Sequence, residues 1–169
     1  HYPVDWVLLR DVSRTLLKAI KLIRSEHLLN RMEQTPGQLA REMNRLCIEM
    51  THTRRRKDGR KRRKGLLRAM KRLLKRIGRH AARHRDILRE HREQTRWSQP
   101  QAERIIVRID EKLGQIAQVI DQAHERIIGG RLVANKDKIL SVHEGDLHTL
   151  VRNKAGKSVE FGNGLFLAE

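Results

Sequence analysis

The residue types and spacing that point most directly to chemistry lie between Arg54 and Arg92, where 19 of the chain's 38 lysines and arginines fall within 39 residues. Three acids, Asp58, Asp86 and Glu90, lie among them, so this stretch carries +16 of the chain's formal net charge of +18. Concentrated cationic charge raises the local concentration of polyanions and speeds their capture at low salt. The pattern favours contact with a nucleic-acid backbone, and it carries no information about base sequence.

A solvated helix face explains most runs of charge, and it is the alternative interpretation of this stretch. A helix that needs only to be soluble alternates the signs of its charges, as residues 103–126 roughly do. Here like charges recur four residues apart, as at Arg68 and Arg72, and each such pair costs a few tenths of a kcal/mol. The sequence therefore favours a surface that follows phosphates. The residues expected to contact nucleic acid are Arg54, Arg55, Arg56, Lys57, Arg60, Lys61, Arg62, Arg63, Lys64, Arg68, Lys71, Arg72, Lys75, Arg76, Arg79 and Arg83.

Histidines and acids are weaker candidates for a metal or catalytic site. His80 and His84 have i,i+4 spacing, but their segment is strongly basic and lacks a suitably placed pair of acids. Glu144 and Asp146 could face one side of a strand, but a surface turn is the favoured interpretation. No Gly-rich phosphate loop, nucleophile elbow or Cys/His pair occurs. The sequence predicts no catalytic residue and no metal ligand.

The composition suits one helical domain, or one domain with an appendage. Two Trp, one Tyr and two Phe are the only aromatic residues, and the other apolar residues are mainly Leu, Ile, Val, Ala and Met. Cys47, the single cysteine, excludes an internal disulfide and lies in an apolar pattern that favours a buried thiol. No apolar run approaches the roughly 18 residues that span a bilayer and no signal-peptide pattern opens the chain, so we expect a cytoplasmic protein.

Apolar residues recur at steps of three and four along much of the chain, which predicts amphipathic helices. The predicted seams are Leu9, Val12, Leu16, Ala19 and Ile23; Leu39, Met43, Leu46 and Met50; Leu67, Met70, Leu74, Ile77, Ala81, His84, Leu88 and His91; and Ile106, Ile109, Leu113, Ile116, Ile120, Ala123 and Ile127. The last two segments predict an antiparallel coiled-coil hairpin. Thr35 before Pro36 predicts one helix start. Ser98 with Gln101 predicts another, and Gly129-Gly130 predicts a helix end.

Two alternatives remain open for residues 36–92. A shared heptad phase from Leu39 to Leu88 favours one long helix, bent near its middle. The turn-type dipeptide Asp58-Gly59 favours a break between two helices. The periodicity is the longer signal, so the continuous helix is slightly preferred.

The periodicity changes from helical to strand-like after Lys138. Short apolar runs predict strands at 139–142, 149–151 and 159–167. The sequence therefore predicts a mostly helical α+β fold that ends in a short antiparallel β segment. Such a segment does not form a sheet core alone, and the chain begins without Met and stops inside the last predicted strand. We expect it to be a fragment of a longer polypeptide.

Two sets of residues near the ends carry a resemblance to a known family. His1–Asp5, followed by Leu8–Asp11, is similar to the H-Y-P-x-D…L-L segment of DDE-class insertion-sequence transposases. The runs Asp137–Glu144 and Arg152–Asn163 resemble that family's K-I-x-S-x-x-E-x…R-G-K-A-G-K-x-V-E-F-G stretch. Asn153 stands where the family pattern usually has Gly. Together these segments cover about 45 residues, and the second motif is the more specific.

The resemblance implies an RNase H-like catalytic domain in which the helical middle is an insertion. Residues 1–30 would then hold the N-terminal helix of that domain, 36–130 the basic helical insertion and 136–169 the truncated β segment. The family's first catalytic Asp would precede His1, and its second Asp and its Glu would follow Glu169, so no catalytic carboxylate is carried over to this chain. The complete enzyme would use two Mg²⁺ ions to cleave and join DNA, and this chain alone is expected to be inactive.

The sequence thus predicts part of a DNA transposase with a basic arm that binds DNA, alone or as a homo-oligomer on DNA. We expect no membrane partner and no small-molecule substrate, and we expect the protein to be nucleoid-associated when it is bound to DNA. The main alternative is a non-enzymatic, basic coiled-coil protein that binds nucleic acid. A third interpretation is a helical module whose basic face meets an acidic protein.

Overall fold

A computed structural model of the chain describes residues 5–53, 57–130 and 139, together with the backbone of residues 148–154 and 157–162. The helices are α1 (Asp5–Ser25), α2 (Pro36–His52), α3 (Gly59–His91) and α4 (Gln99–His124), and the strands are β1 (His148–Lys154) and β2 (Lys157–Gly162). One short 3₁₀ turn follows α3, and one π turn, Glu125–Gly129, follows α4. The mostly helical fold that the sequence predicts is confirmed.

The helix boundaries follow the capping residues in the sequence. Thr35 accepts a hydrogen bond from the Gln38 backbone N–H at the start of α2, and the Gln38 side chain accepts one from the Thr35 N–H. Ser98 and Gln101 form the same reciprocal pair at the start of α4. Gly130 ends the π turn with φ +64°, a left-handed conformation that suits glycine. The two predicted starts and this helix end are confirmed.

The four helices form one bundle in which α1 and α3 are the central pair. Each of these two helices packs against all three others. The α3–α4 pair is antiparallel, because Arg89 near the end of α3 contacts Asp110, whereas Lys71 lies beside His124 at the end of α4. The predicted hairpin is therefore present as α3 and α4, with α1 packed along both of them. Because α1 and α3 contact each other, their exposed sides face in opposite directions.

The predicted seams of α1, α2 and α3 form the core, with one error at the end of α3. In the predicted α4 seam four residues are buried, and Leu113, Ile116 and Ile127 are partly buried against the core. Every predicted seam residue of α1 and α2 is buried, as are those of α3 from Leu67 to Leu88. His91 was expected on the seam of α3, but it is exposed, because it is the last residue of the helix. Four further residues of α3, Gly59, Leu66, Leu73 and Gly78, are also buried. The wider apolar face results from packing against three helices instead of one.

The preference for one continuous helix over residues 36–92 is wrong. Helix α2 ends at His52 and α3 begins at Gly59. The chain turns so sharply that a Cβ on Gly59 would overlap the carbonyl oxygen of Thr53. Thr53 is buried, and its hydroxyl donates to the Met50 carbonyl at 2.7 Å, which helps to close the end of α2. The turn dipeptide at Asp58-Gly59 decides the geometry, despite the shared heptad phase.

The strands form an antiparallel pair in which Leu150 lies opposite Glu160 and Val151 opposite Val159. Of the predicted strand at 139–142, Ile139 is described, and its backbone is held by α4. The Ile139 N–H donates to Gln122 Oε1 at 2.8 Å, and its carbonyl accepts from Gln122 Nε2 at 3.1 Å. Residues 140–142 and 163–167 lie outside the described residues. An RNase H-like domain around these elements stays a prediction.

Candidate nucleic-acid interface

Seven cations form one continuous row on the exposed side of α3, and we call this row the α3 stripe. They are Lys61, Lys64, Arg68, Arg72, Lys75, Arg79 and Arg83. Their spacing of three and four residues places them on one helix face. The row spans about 33 Å at 1.5 Å per residue, close to the length of one turn of B-DNA, about 34 Å. All seven side chains are exposed, and none forms an ion pair within the part of the chain that the structure describes.

The position of the α3 stripe follows from the packing of the same helix. The buried residues of α3 contact the other three helices and leave a narrow arc in solvent. Lysine and arginine occupy this arc as far as Arg83. The next two residues on the same face, Asp86 and Glu90, are exposed acids. The stripe therefore has a defined end, where the surface changes sign.

Further cations extend the α3 stripe at its amino-terminal end. Lys57, Arg60 and Arg62 are exposed around the start of α3 and form no ion pair within the described residues. The amino end of a helix carries a partial positive charge, so cations in its first turns repel it and an anion there is favoured. Arg54, Arg55 and Arg56, which belong to the predicted contact set, lie outside the described residues.

Three predicted contact residues are partly engaged within the bundle instead of standing free in solvent. Arg63 Nε donates to the Gly59 carbonyl at 3.2 Å. Arg76 Nη2 donates to Glu42 Oε2 of α2 at 3.2 Å, and both side chains are about one-third exposed.

Lys71 is the third of these residues. Its Nζ lies 3.1 Å from His124 Nδ1, and burial lowers the pKa of Lys71. Arg63, Arg76 and Lys71 therefore flank the α3 stripe, and their contacts within the protein compete with a phosphate.

Helix α3 carries other arginines that are neutralised by acids. Arg85 and Arg89 both donate to Asp110 of α4, with Nη1 and Nη2 2.5 and 2.7 Å from its two carboxylate oxygens. Arg85 also contacts Asp86 at 2.8 Å. These contacts hold the far end of α3 against α4. After residue 84, Arg85 and Arg89 are both paired with acids. Before it, Arg76 is paired with Glu42, and the seven cations of the α3 stripe form no ion pair within the described residues.

One histidine of α3, His84, belongs to the core. His84 is fully buried, and its Nδ1–H donates to the His80 carbonyl at 2.7 Å. Burial lowers the pKa of His84 and of His80, so both favour the neutral form. Within the described residues, no three His, Cys, Asp or Glu side chains converge as a metal site would require. Glu144 and Asp146 lie outside those residues.

Cys47 is buried between α2 and α1, with its Sγ 3.9 Å from the Trp6 carbonyl oxygen. Burial raises the pKa of the Cys47 thiol to about 11. The thiol therefore stays protonated at neutral pH, when its nucleophilic thiolate form is scarce. The structure confirms the prediction of a buried cysteine that acts as a small apolar residue.

A second set of exposed cations lies on α1 and α4, outside the α3 stripe, and sequence reasoning did not single it out. Its members are Arg14, Lys18 and Lys21 of α1 and Arg104 and Arg108 of α4. None of the five forms an ion pair within the described parts of the chain. The available signal was the spacing of like charges four residues apart in both helices. Acids on both sides of the two arginines, at Glu103, Asp110 and Glu111, made the α4 segment look balanced in charge.

Comparison with protein families, with characterised proteins and with solved structures finds no match to this chain. No helix among the described residues has the length and apolar character needed to cross a membrane. The candidate interface therefore has to be argued from its own geometry and charge.

Proposed function

We propose that the bundle binds the phosphate backbone of duplex DNA through the α3 stripe. The observation that carries the proposal is the row of seven exposed cations without ion pairs among the described residues, which ends where Asp86 and Glu90 begin. An unpaired row of this length costs the free protein repulsion between neighbours, and a polyanion removes that cost. A regular row of lysines and arginines matches a repeating phosphate chain, and it supplies little base specificity.

The contrast along α3 supports nucleic acid over plain solvation. Where α3 needs stability alone, as at Arg85 and Arg89, its arginines are paired with Asp110. Where the α3 stripe runs, α3 itself contains no acid, because residues 59–85 include no Asp or Glu. Exposed large apolar residues occur at Leu22, Leu29, Ile48 and Val107 in the described chain, and none of them is on α3. The stripe is thus a purely electrostatic surface, which suits a phosphate backbone better than a folded protein partner.

We further propose that the complete protein is a DDE-class transposase in which this bundle is a DNA-gripping insertion in an RNase H-like domain. The support for this wider proposal is the sequence resemblance at His1–Asp5 and Arg152–Asn163. Two Mg²⁺ ions would supply the phosphodiester chemistry of such an enzyme. The described residues offer no cluster of ligands for them. The role proposed for this chain is therefore to bind DNA, and we expect it to have no cleavage activity by itself.

Salt-dependent binding to a short DNA duplex tests the role of the α3 stripe. The slope of log K against log[salt] falls by about 0.9 for each phosphate contact that is lost. Four neutral substitutions in the stripe should therefore reduce the slope by about 3 to 4 units. The stripe variant combines Arg68→Gln, Arg72→Gln, Lys75→Gln and Arg79→Gln. A matched control removes the same charge from other exposed, unpaired positions in the described chain through Arg14→Gln, Lys21→Gln, Arg31→Gln and Arg41→Gln.

The comparison of the two variants decides the outcome. We expect the control to keep a slope within about one unit of the parent protein, because none of its four cations belongs to the α3 stripe. Equal losses in the two variants would show that binding depends on net charge alone. An unchanged slope in the stripe variant would show that DNA does not lie on α3. Recovery of the full-length reading frame tests the wider proposal, which requires an Asp upstream of His1 and a strand ending in Asp downstream of Glu169.

A further inference from the structure

A groove between α1 and α4 combines apolar walls with a cationic rim. Its lining residues are Thr15, Lys18, Ala19, Leu22, Arg104, Ile105 and Arg108, and its volume is about 200 Å³. Leu22 is 50% exposed although it is a large apolar residue. Lys18, Arg104 and Arg108 are exposed and form no ion pair within the described residues. Unlike the α3 stripe, this surface would take a partner with both carboxylates and apolar side chains.

The outer surface of α4 carries such a set of side chains beside the groove. Glu103, Val107 and Glu111 are four residues apart, so they form one row along the helix, and we call this row the acidic strip. All three are exposed, and Val107 is 44% exposed. Neither glutamate forms an ion pair in the part of the chain that the structure describes.

The acidic strip and the cationic rim are neighbours on the same helix. Arg104 and Arg108 each follow a member of the strip by one residue, so they lie about 100° further round α4. Ile105 lies beyond them and lines the groove. The surface therefore divides into two parallel rows of opposite charge, each next to an exposed apolar side chain. A surface of this kind is complementary to itself when a second copy is turned about a two-fold axis.

We propose that two copies of this chain form a two-fold symmetric dimer through the α1–α4 face. The acidic strip of each copy lies on the groove of the other, so that Glu103 and Glu111 meet Lys18, Arg104 and Arg108 across the interface. Val107 of each copy then covers Leu22 and Ile105 of the other. The two charge rows satisfy each other without any further partner, which favours a second copy over duplex DNA, because DNA would be repelled by the glutamates.

The proposed dimer is independent of the DNA-binding proposal, because its interface shares no residue with the α3 stripe. The interface residues belong to α1 and α4, whereas the stripe belongs to α3. Each copy keeps its own polyanion surface whether or not DNA is present. Dimerisation can therefore be measured in DNA-free protein, and its failure would leave the proposal for the α3 stripe intact.

Two charge-reversed variants test the pairing by sedimentation velocity and light scattering. One carries Glu103→Lys and Glu111→Lys, which makes its α4 face basic. The other carries Arg104→Glu and Arg108→Glu, which makes its α4 face acidic. We expect the parent protein to form a weak dimer whose Kd rises with salt. Each variant alone should dimerise at least about tenfold more weakly, because like charges then face each other.

Mixing the two variants is the decisive step. A basic face and an acidic face attract, so we expect the mixture to form a heterodimer although neither variant forms a homodimer. All four positions are exposed, and circular dichroism should show unchanged helix content in both proteins. A matched control, Arg79→Glu with Arg83→Glu, reverses two arginines at the same spacing on the α3 stripe. It should keep the dimer and weaken DNA binding.

Three results would overturn the proposal. The first is a parent protein that stays monomeric at roughly 200 μM and low salt, well above the concentration at which even weak specific dimers form. The second is a mixture of variants that shows no association. The third concerns the salt dependence of DNA binding. If the Arg104→Glu, Arg108→Glu protein loses as much of the salt slope as the Arg79→Glu, Arg83→Glu control, the groove binds DNA.

Discussion

Replacing Gly78 by alanine tests how closely α3 and α4 approach each other. A Cβ at this position would lie 2.8 Å from Ile116 Cδ1 and 3.5 Å from Leu113 Cδ2. Alanine is favoured over glycine in a helix interior by about 1 kcal/mol. Against this gain, the end of the Ile116 side chain must move, and an off-rotamer side chain costs about 0.5 to 1.5 kcal/mol. Ile116 is only half-buried and can give way, so we expect a net change in the free energy of unfolding within about 0.5 kcal/mol of zero.

Two companion substitutions separate the opposing effects. Gly65 is an exposed position of α3 where a Cβ would meet no atom within 4 Å. Gly65→Ala should therefore deliver the full helix preference, about 1 kcal/mol or about 2 to 4 °C in Tm. Ile116→Val removes the Cδ1 atom that blocks the new methyl group. In that background, Gly78→Ala should stabilise by about as much as Gly65→Ala, so the two substitutions should couple favourably in a double-mutant cycle.

Urea unfolding followed by circular dichroism measures the parent protein and the four variants on one scale. A loss of more than about 2 kcal/mol for Gly78→Ala in both backgrounds would refute the reasoning, because a rigid backbone and not Ile116 would then be the obstacle. The reasoning would also be refuted if Gly78→Ala raised the free energy of unfolding of the parent protein by as much as Gly65→Ala does. The helices would then be further apart at Gly78 than the structure shows.

Two further predictions concern pH and capping. Burial lowers the pKa of His84, so its stabilisation is complete above the ordinary pKa of about 6.5 and decreases as the pH falls towards the lowered value, by at most about 1.4 kcal/mol per pH unit. His84→Leu should flatten this part of the pH profile of urea unfolding, and the remaining slope belongs to groups such as His80, whose pKa is also lowered. Ser98→Ala removes the cap of α4 and should cost about 1 kcal/mol in the same assay, whereas Ser98→Thr should cost less.

The sequence was a good guide to the helices because their signals are local. The starts of α2 and α4 depend on capping side chains within three residues of the boundary, and the structure contains both capping boxes. The width of the α3 apolar face was not predictable in this way. Leu66 and Leu73 lie outside a strict three-four seam, and they are buried because α1 and α2 also pack on α3. The periodicity predicts one apolar face of a helix. It does not predict how many other helices pack against that helix, because this depends on the tertiary structure.

The candidate interface also has a part that the sequence shows and a part that only the tertiary structure shows. Exposure of Arg68, Arg72 and Arg79 follows from their positions off the seam, which the sequence shows directly. The engagement of Arg76 by Glu42 does not, because the two residues are 34 positions apart and meet only when α2 folds back along α3. That return depends on the break before Gly59, which the heptad phase concealed. The sequence therefore shows which residues of α3 are exposed, whereas their contacts within the bundle depend on the tertiary structure.

The charge arrangement of the α3 stripe has a cost that can be measured in the free protein. Four pairs of neighbours in the stripe are four residues apart, from Lys64 with Arg68 to Arg79 with Arg83. At a few tenths of a kcal/mol each, their repulsion amounts to about 1 to 2 kcal/mol at low salt. Salt screens exposed charges more strongly than partly buried pairs such as Arg85 with Asp110.

Salt should therefore affect the free protein and its DNA complex in opposite directions. Raising NaCl from about 20 mM to about 300 mM should increase the Tm of the free bundle, because it relieves the repulsion along the α3 stripe. The same increase should lower the Tm of the DNA-bound bundle, because binding weakens with salt and its contribution to stability is lost. Differential scanning calorimetry measures both. A free bundle whose Tm falls over this range would show that attractive ion pairs dominate its salt dependence. Repulsion along the α3 stripe would then not be a cost that a polyanion partner relieves.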